Sequence, residues 1–235
     1  MQPSHRPEWL TFDCYGTLIQ WDEGLLAYVD RLLSRKGWRG VDPHEFIRVY
    51  DQHEHRLEQT PPHRSFAEVS AHSLRAALEA FGLPFEASDA DALTRHIAAM
   101  PPFPEVVPTL AWLKAQGFKL CIVSNTDDAI IAGNVAQLGG QIDRIVTAQQ
   151  ARAYKPSPRL FLHAHEAIGV SQDRLLHICA SPHLDLAAAR DMGFRCVWID
   201  RGTARKPLPD YRPDAVLPDL ADLRQLFATL GWVQL

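Results

Sequence analysis

Three features of the sequence predict an α/β fold: a parallel sheet wrapped by helices, with an all-helical cap inserted after the first strand. From Glu105 onward, short apolar runs alternate with helix-period segments, the rhythm of successive β-α-β units. Between Leu18 and Met100 that rhythm is missing and only helical patterns occur. The apolar runs end abruptly in polar residues, and in an open parallel sheet the carboxyl ends of the strands are where ligands bind.

The first strand is read from Trp9, Leu10 and Phe12, and it stops at Asp13. Gly16 then supplies a tight bend that lets main-chain N–H groups face the carboxylate. Helices are expected over Glu23 to Arg35, Pro43 to Gln59, Phe66 to Phe81 and Asp89 to Ala99; Leu25, Val29, Leu32 and Leu33 keep helical spacing in the first, and Leu74, Leu78 and Phe81 in the third. Met100-Pro101-Pro102-Phe103-Pro104 breaks the helical run and returns the chain to the sheet. The division that follows is a core of residues 1–18 and 101–235 and a cap of residues 19–100. Leu120 to Val123 forms a strand that runs into Ser124-Asn125, with Thr126 and Asp127 capping the next helix. Tyr154-Lys155-Pro156 is read as opening a helix, with Pro156 in its first turn. Leu175 to Cys179 leads to Ala180-Ser181, with Asp185 just beyond, and Pro207 to Pro218 is irregular.

Composition narrows the function. A net charge of −4 with interspersed signs offers no basic stripe, so nucleic acid is not an expected partner. The four cysteines, Cys14, Cys121, Cys179 and Cys196, lie in or beside apolar runs without Cys-x-x-Cys spacing, as expected of reduced core residues. No apolar run approaches a membrane span and the N-terminus has no signal-like region, so a soluble cytoplasmic protein is expected. His53-x-His55 and His163-x-His165 are not expected to bind metal, because residues two apart on a helix do not face each other. Of the six tryptophans, Trp21 is the one expected to do more than pack.

The ordered set of Asp13, Ser124-Asn125, Lys155 and the Ala180-to-Asp185 segment resembles the four motifs of the haloacid dehalogenase-like hydrolase superfamily. The form Phe12-Asp13-Cys14-Tyr15-Gly16-Thr17-Leu18 is similar to its (S)-2-haloacid dehalogenase branch. The resemblance implies a Rossmann-like core, a helical cap and an aspartate nucleophile. It also shows two departures from the superfamily's phosphatases. The second aspartate that protonates an alkoxide leaving group is replaced by Tyr15, and a carboxylate expected directly after the fourth-motif strand, a Mg²⁺ ligand, is replaced by Ala180. Both fit halide, which departs unprotonated.

On this resemblance Asp13, Lys155 and Asp185 are the catalytic residues: a nucleophile, a cation that keeps it ionised, and an acid that orients Lys155 or the hydrolytic water. Thr17, Ser124, Asn125 and Ser181, with backbone groups around Cys14 and Tyr15, are the substrate-binding set. The expected substrate is a short halogenated carboxylic acid, with no metal or other cofactor; a homodimer stays open. The family's cap arginine falls among Arg39, Arg48, Arg56 and Arg64. Pro182 stands where an asparagine is expected, Phe161 where a tyrosine is expected, and His183 lies near enough to act as a base. A Mg²⁺-dependent phosphatase and a catalytically silent binding protein are the alternatives.

Overall fold

The computed structural model describes residues 5–38, 40–203 and 205–234. Among these residues six parallel strands form one sheet: β1 (Trp9–Phe12), β2 (Lys119–Ser124), β3 (Arg144–Thr147), β4 (Leu175–Cys179), β5 (Cys196–Ile199) and β6 (Ala215–Leu217), in the order β3-β2-β1-β4-β5-β6. All four residues of β1 and all five of β4 are buried, as strands covered by helices on both faces must be. Strand order reverses at β1, which pairs with β2 on one side and β4 on the other. That reversal opens a crevice at the strands' carboxyl ends.

Among the described residues ten α-helices accompany the sheet: α1 (Trp21–Arg35), α2 (Pro43–Glu58), α3 (Phe66–Ala80), α4 (Ala87–Ala99), α5 (Val106–Ala115), α6 (Asp128–Val135), α7 (Ala148–Ala151), α8 (Pro158–Ile168), α9 (Ala187–Met192) and α10 (Leu223–Thr229). The four helices expected between β1 and α5 are present, each within a few residues of its expected limits. Local chemistry explains their starts: Asp42 accepts from the His44 N–H ahead of Pro43, and Ser65 and Glu68 form a reciprocal capping box.

Two local readings of the sequence are corrected. Asp127 precedes α6, but its carboxylate does not cap that helix; it accepts from the Phe66 and Ala67 N–H groups at 2.8 and 2.9 Å. It therefore satisfies the start of α3, sixty residues away in sequence, where an anion also meets the positive end of the helix dipole. Pro156 lies in a turn before α8 rather than inside it. The helix begins at Pro158, because Ser157 supplies the capping hydroxyl to the Arg159 N–H and Pro158 takes the first helical position.

Gly133 on α6 shows how closely the inserted helices meet the sheet layer: a Cβ there would stand 2.5 Å from the Ala98 carbonyl oxygen of α4. The contact is to backbone and cannot be relieved by a rotamer change. Gly133→Ala is expected to destabilise the fold by about 1–3 kcal/mol through overpacking. A lowered urea midpoint with unchanged slope would show it, and an unshifted midpoint would show that the helices part freely.

Candidate active site

Asp13 follows β1 directly, and its side chain is nearly buried. Each carboxylate oxygen has its own donor: Lys155 Nζ at 2.8 Å from Oδ1 and Thr17 Oγ1 at 2.7 Å from Oδ2. Thr17 also accepts from the Ala180 N–H at 2.9 Å, so its single proton is committed to Asp13. Gly16 makes the intervening bend with φ of +80°, and the Arg205 guanidinium packs where a Cβ would come within 3.4 Å of its Nη2.

Lys155 is fully buried, which is tolerable only because two anions meet it. Its ammonium lies 2.8 Å from Asp13 Oδ1 and 2.7 Å from Asp185 Oδ1. Burial works to lower its pKa, but attraction to Asp13 and Asp185 wins and raises it above the ordinary lysine value. Burial works to raise Asp185, and Lys155 and His177 overcome that and lower it. The Asp185 contribution to stability is therefore present above the unfolded value near 4 and lost as pH falls through the lowered one. The Lys155 contribution is present below about 10.4 and lost as pH rises through the raised one. The main chain of Lys155 is clamped as well: its N–H donates to Asn125 Oδ1 at 2.7 Å and its carbonyl accepts from Gln59, just after α2, at 2.9 Å.

Asp185 lies on a single π-helical turn after β4, fully buried, and reaches Lys155 rather than open space. The same Oδ1 is 2.7 Å from His177 Nε2, and His177 Nδ1 is 2.8 Å from Thr11 Oγ1. His177, on β4, was not singled out by the sequence; one alternating position on a buried strand carries no local signal of chemistry. His177, Cys179 and Asp185 bring potential metal-ligand atoms within 4.8 Å of one another, but the Asp185 oxygen is already held by an ammonium and an imidazole.

A cavity of about 130 Å³ opens beside Asp13. From the sequence-derived set, Asp13, Tyr15, Ser124, Asn125 and Ser181 line it, together with Ala180 and Trp21. Lys155, Asp185, Thr17 and Cys14 do not: the first three form the network behind Asp13, and the Cys14 side chain packs into the hydrophobic core. The Tyr15 hydroxyl is turned away, donating to Asn134 of α6 at 2.9 Å, while its ring faces Trp21 with centroids 5.2 Å apart. Ser124 Oγ is buried with no hydrogen-bond partner among the described residues.

None of the expected cap arginines among the described residues lines the cavity. Arg39 falls outside the described residues; Arg48 is exposed near Glu45, Arg56 contacts His53, and Arg64 caps the carbonyls of Thr60 and Pro62. The arginine present is Arg205, from the irregular segment after β5, and its guanidinium is already paired bidentately with Asp22 at 2.8 Å to both oxygens. His183 lies on the Asp185 turn but lines a different, outer hollow. From α2 come Glu54, His55 and Glu58.

A family model for haloacid dehalogenase-like hydrolases matches residues 8–193, and the chain belongs to that family. Among curated proteins it is similar to haloacetate dehalogenase H-2 of Moraxella sp., 31% identical over 94% of this chain and 98% of the relative. It is also similar to phosphoserine phosphatase of Thermus thermophilus, 32% identical but over only 65% of this chain and 61% of the relative. A solved L-2-haloacid dehalogenase superposes with a TM-score of 0.84 at 24% identity, covering 95% of this chain and all of its own, which establishes the shared fold. No helix among the described residues is long and apolar enough to cross a membrane.

Proposed function

We propose that the protein hydrolyses the carbon–halogen bond of short 2-haloacids or haloacetates through an aspartyl ester, without a metal ion, and that residues 19–100 act as a cap over a core of residues 1–18 and 101–235. The observation that carries this reading is the ammonium of Lys155 lying between the carboxylates of Asp13 and Asp185. A divalent cation serving Asp13 would need oxygen ligands there. Tyr15 and Ala180 supply none from a carboxylate, and one Asp13 oxygen is already taken by Lys155. The residues do not fit Mg²⁺, and no step is assigned to it.

In the proposed reaction an Asp13 oxygen attacks the halogen-bearing carbon. A C–O bond forms as the carbon–halogen bond breaks, and the halide leaves with the bonding pair, needing no proton. Water then adds to the Asp13 carboxyl carbon, and the adduct collapses to a 2-hydroxy acid and free Asp13, with one proton released to solvent. Lys155 offsets the negative charge of Asp13 before displacement and of the oxyanion formed when water adds to the neutral ester, and Ser124 and Asn125 hold the substrate beside it. A cavity of about 130 Å³ suits a short acid; sites for drug-sized ligands run to about 300 Å³ and more.

Halide release from haloacetates and 2-halopropionates, with and without chelator, tests the reading. Equal turnover in both conditions is expected, together with negligible phosphate release from aryl phosphate in Mg²⁺. Phosphate release that requires Mg²⁺, with no halide release, would establish the phosphatase reading that the Thermus relative favours.

A further inference from the structure

The α2 residues Phe46, Tyr50, Glu54 and Glu58 follow one another at intervals of four, one inward stripe of the helix. Its first half is apolar and fully buried; its second half passes over the strand ends, and there the stripe becomes two carboxyl groups lining the Asp13 cavity. Both are half-buried, and each has a hydrogen-bond donor. Glu54 Oε1 accepts from the Tyr50 hydroxyl at 2.8 Å, and Glu58 Oε2 accepts from Asn125 Nδ2 at 3.3 Å.

Counting charge around the cavity exposes a conflict with an acid substrate. Lys155 is shared between Asp13 and Asp185, and Arg205 is matched by Asp22, so neither cation is left over for a substrate anion. Two further ionised carboxylates would repel that anion strongly. The buried Ser124 hydroxyl lines the same cavity and has no hydrogen-bond partner among the described residues, so its donor is not committed to another protein group.

We propose that Glu54 and Glu58 act as neutral acids and donate hydrogen bonds to the substrate carboxylate, taking the place of a cationic side chain, so that substrate binding is linked to retention of a proton on this pair. The inference rests on the haloacid reading and names how that acid is held. Burial, reinforced by Asp51, pushes Glu54 up to about 8, and burial with repulsion from Glu54 drives Glu58 well above the carboxylate range, against the Asn125 hydrogen bond and Lys155.

The neighbouring groups leave the pair as the titrating element. On α2, Asp51 is raised to about 6 and His55 is lowered from its usual value, each chiefly by partial desolvation in the cleft although both side chains reach solvent. From the β1 turn, Asp13 is paired and Tyr15 is pushed up by burial; Tyr154, beside Lys155, is pushed up likewise. Cys14, behind Asp13, is raised well above its usual value by burial. His183, across from His55, and the Arg205–Asp22 pair complete the surroundings.

The test is the pH dependence of KM for chloroacetate between pH 6.5 and 9.5. For wild type, KM should rise about tenfold per pH unit above about pH 8, with a much smaller change in kcat, the slope of a single linked proton. Glu54→Gln with Glu58→Gln should flatten that rise, since an amide keeps an N–H donor that does not titrate; Glu54→Leu with Glu58→Leu should give a high KM at every pH. A pH-independent wild-type KM, or an unchanged slope in the glutamine variant, would overturn the proposal. Glycolate binding by calorimetry in buffers of different ionisation enthalpy is an independent arm, with proton uptake approaching one per ligand above pH 8 expected. Proton-linked glycolate binding without halide release from any haloacid would sustain this inference while removing the dehalogenase reading; halide release with unlinked binding would do the reverse. Methylammonium binding that strengthens with pH and vanishes in the glutamine variant would overturn the proposal in favour of an ionised cation site.

Discussion

Replacing Asp13 with asparagine should cut halide release by about 10⁴-fold or more, the scale on which loss of a covalent nucleophile acts in hydrolases. The substitution keeps the shape of the side chain, but its amide has one oxygen for two donors, so keeping the Thr17 contact turns Nδ2 toward the Lys155 ammonium; circular dichroism should stay native-like while the urea midpoint falls measurably. Loss of kcat without loss of fold is the signature of a residue that supplies a bond rather than packing. A single turnover of wild type in ¹⁸O-water gives the sharper measurement, because hydrolysis at the Asp13 carboxyl carbon leaves the label in Asp13 and the substrate's new hydroxyl carries an unlabelled Asp13 oxygen. Label in the first-turnover product would mean that water attacks the substrate directly and that Asp13 serves only as a base.

Much of this site is legible in the sequence because its parts sit where backbone signals change. Asp13 and Asn125 each follow an apolar strand and Ser124 ends one, and a parallel sheet collects such ends in one crevice whatever the tertiary details. Lys155 is marked by its place in the ordered motifs, although its Pro156 neighbour misplaces the helix start by two residues. Glu54 and Glu58 give no such signal: acids four apart on an amphipathic helix read as a solvated face, and only the docking of α2 over the strand ends turns them inward. Arg205 sits in a stretch without periodicity, and its approach to the cavity depends on Gly16 leaving room for the guanidinium. The missing information is tertiary in each case. The same holds for Asp127, whose local position indicates a cap but whose carboxylate caps a helix that precedes it by about sixty residues.

Lys155→Met should show two separable losses. Turnover should fall at least about 100-fold, since a preorganised charge beside the displacement step is worth about 3 kcal/mol or more. Stability should fall by about 3–5 kcal/mol, because Asp13 and the fully buried Asp185 lose their shared counter-ion. A low rate in this variant alone would therefore be ambiguous between lost chemistry and a disordered site. Lys155→Met combined with Asp185→Asn removes the ambiguity: neutralising Asp185 relieves the stranded anion, so the urea midpoint should recover most of its loss while halide release stays down. Added Mg²⁺ should restore neither variant, since Tyr15 and Ala180 still provide no further carboxylate. Recovery of turnover along with stability in the double variant would reduce Lys155 to a structural counter-ion, and rescue by Mg²⁺ would show that a metal can take the place assigned here to the ammonium.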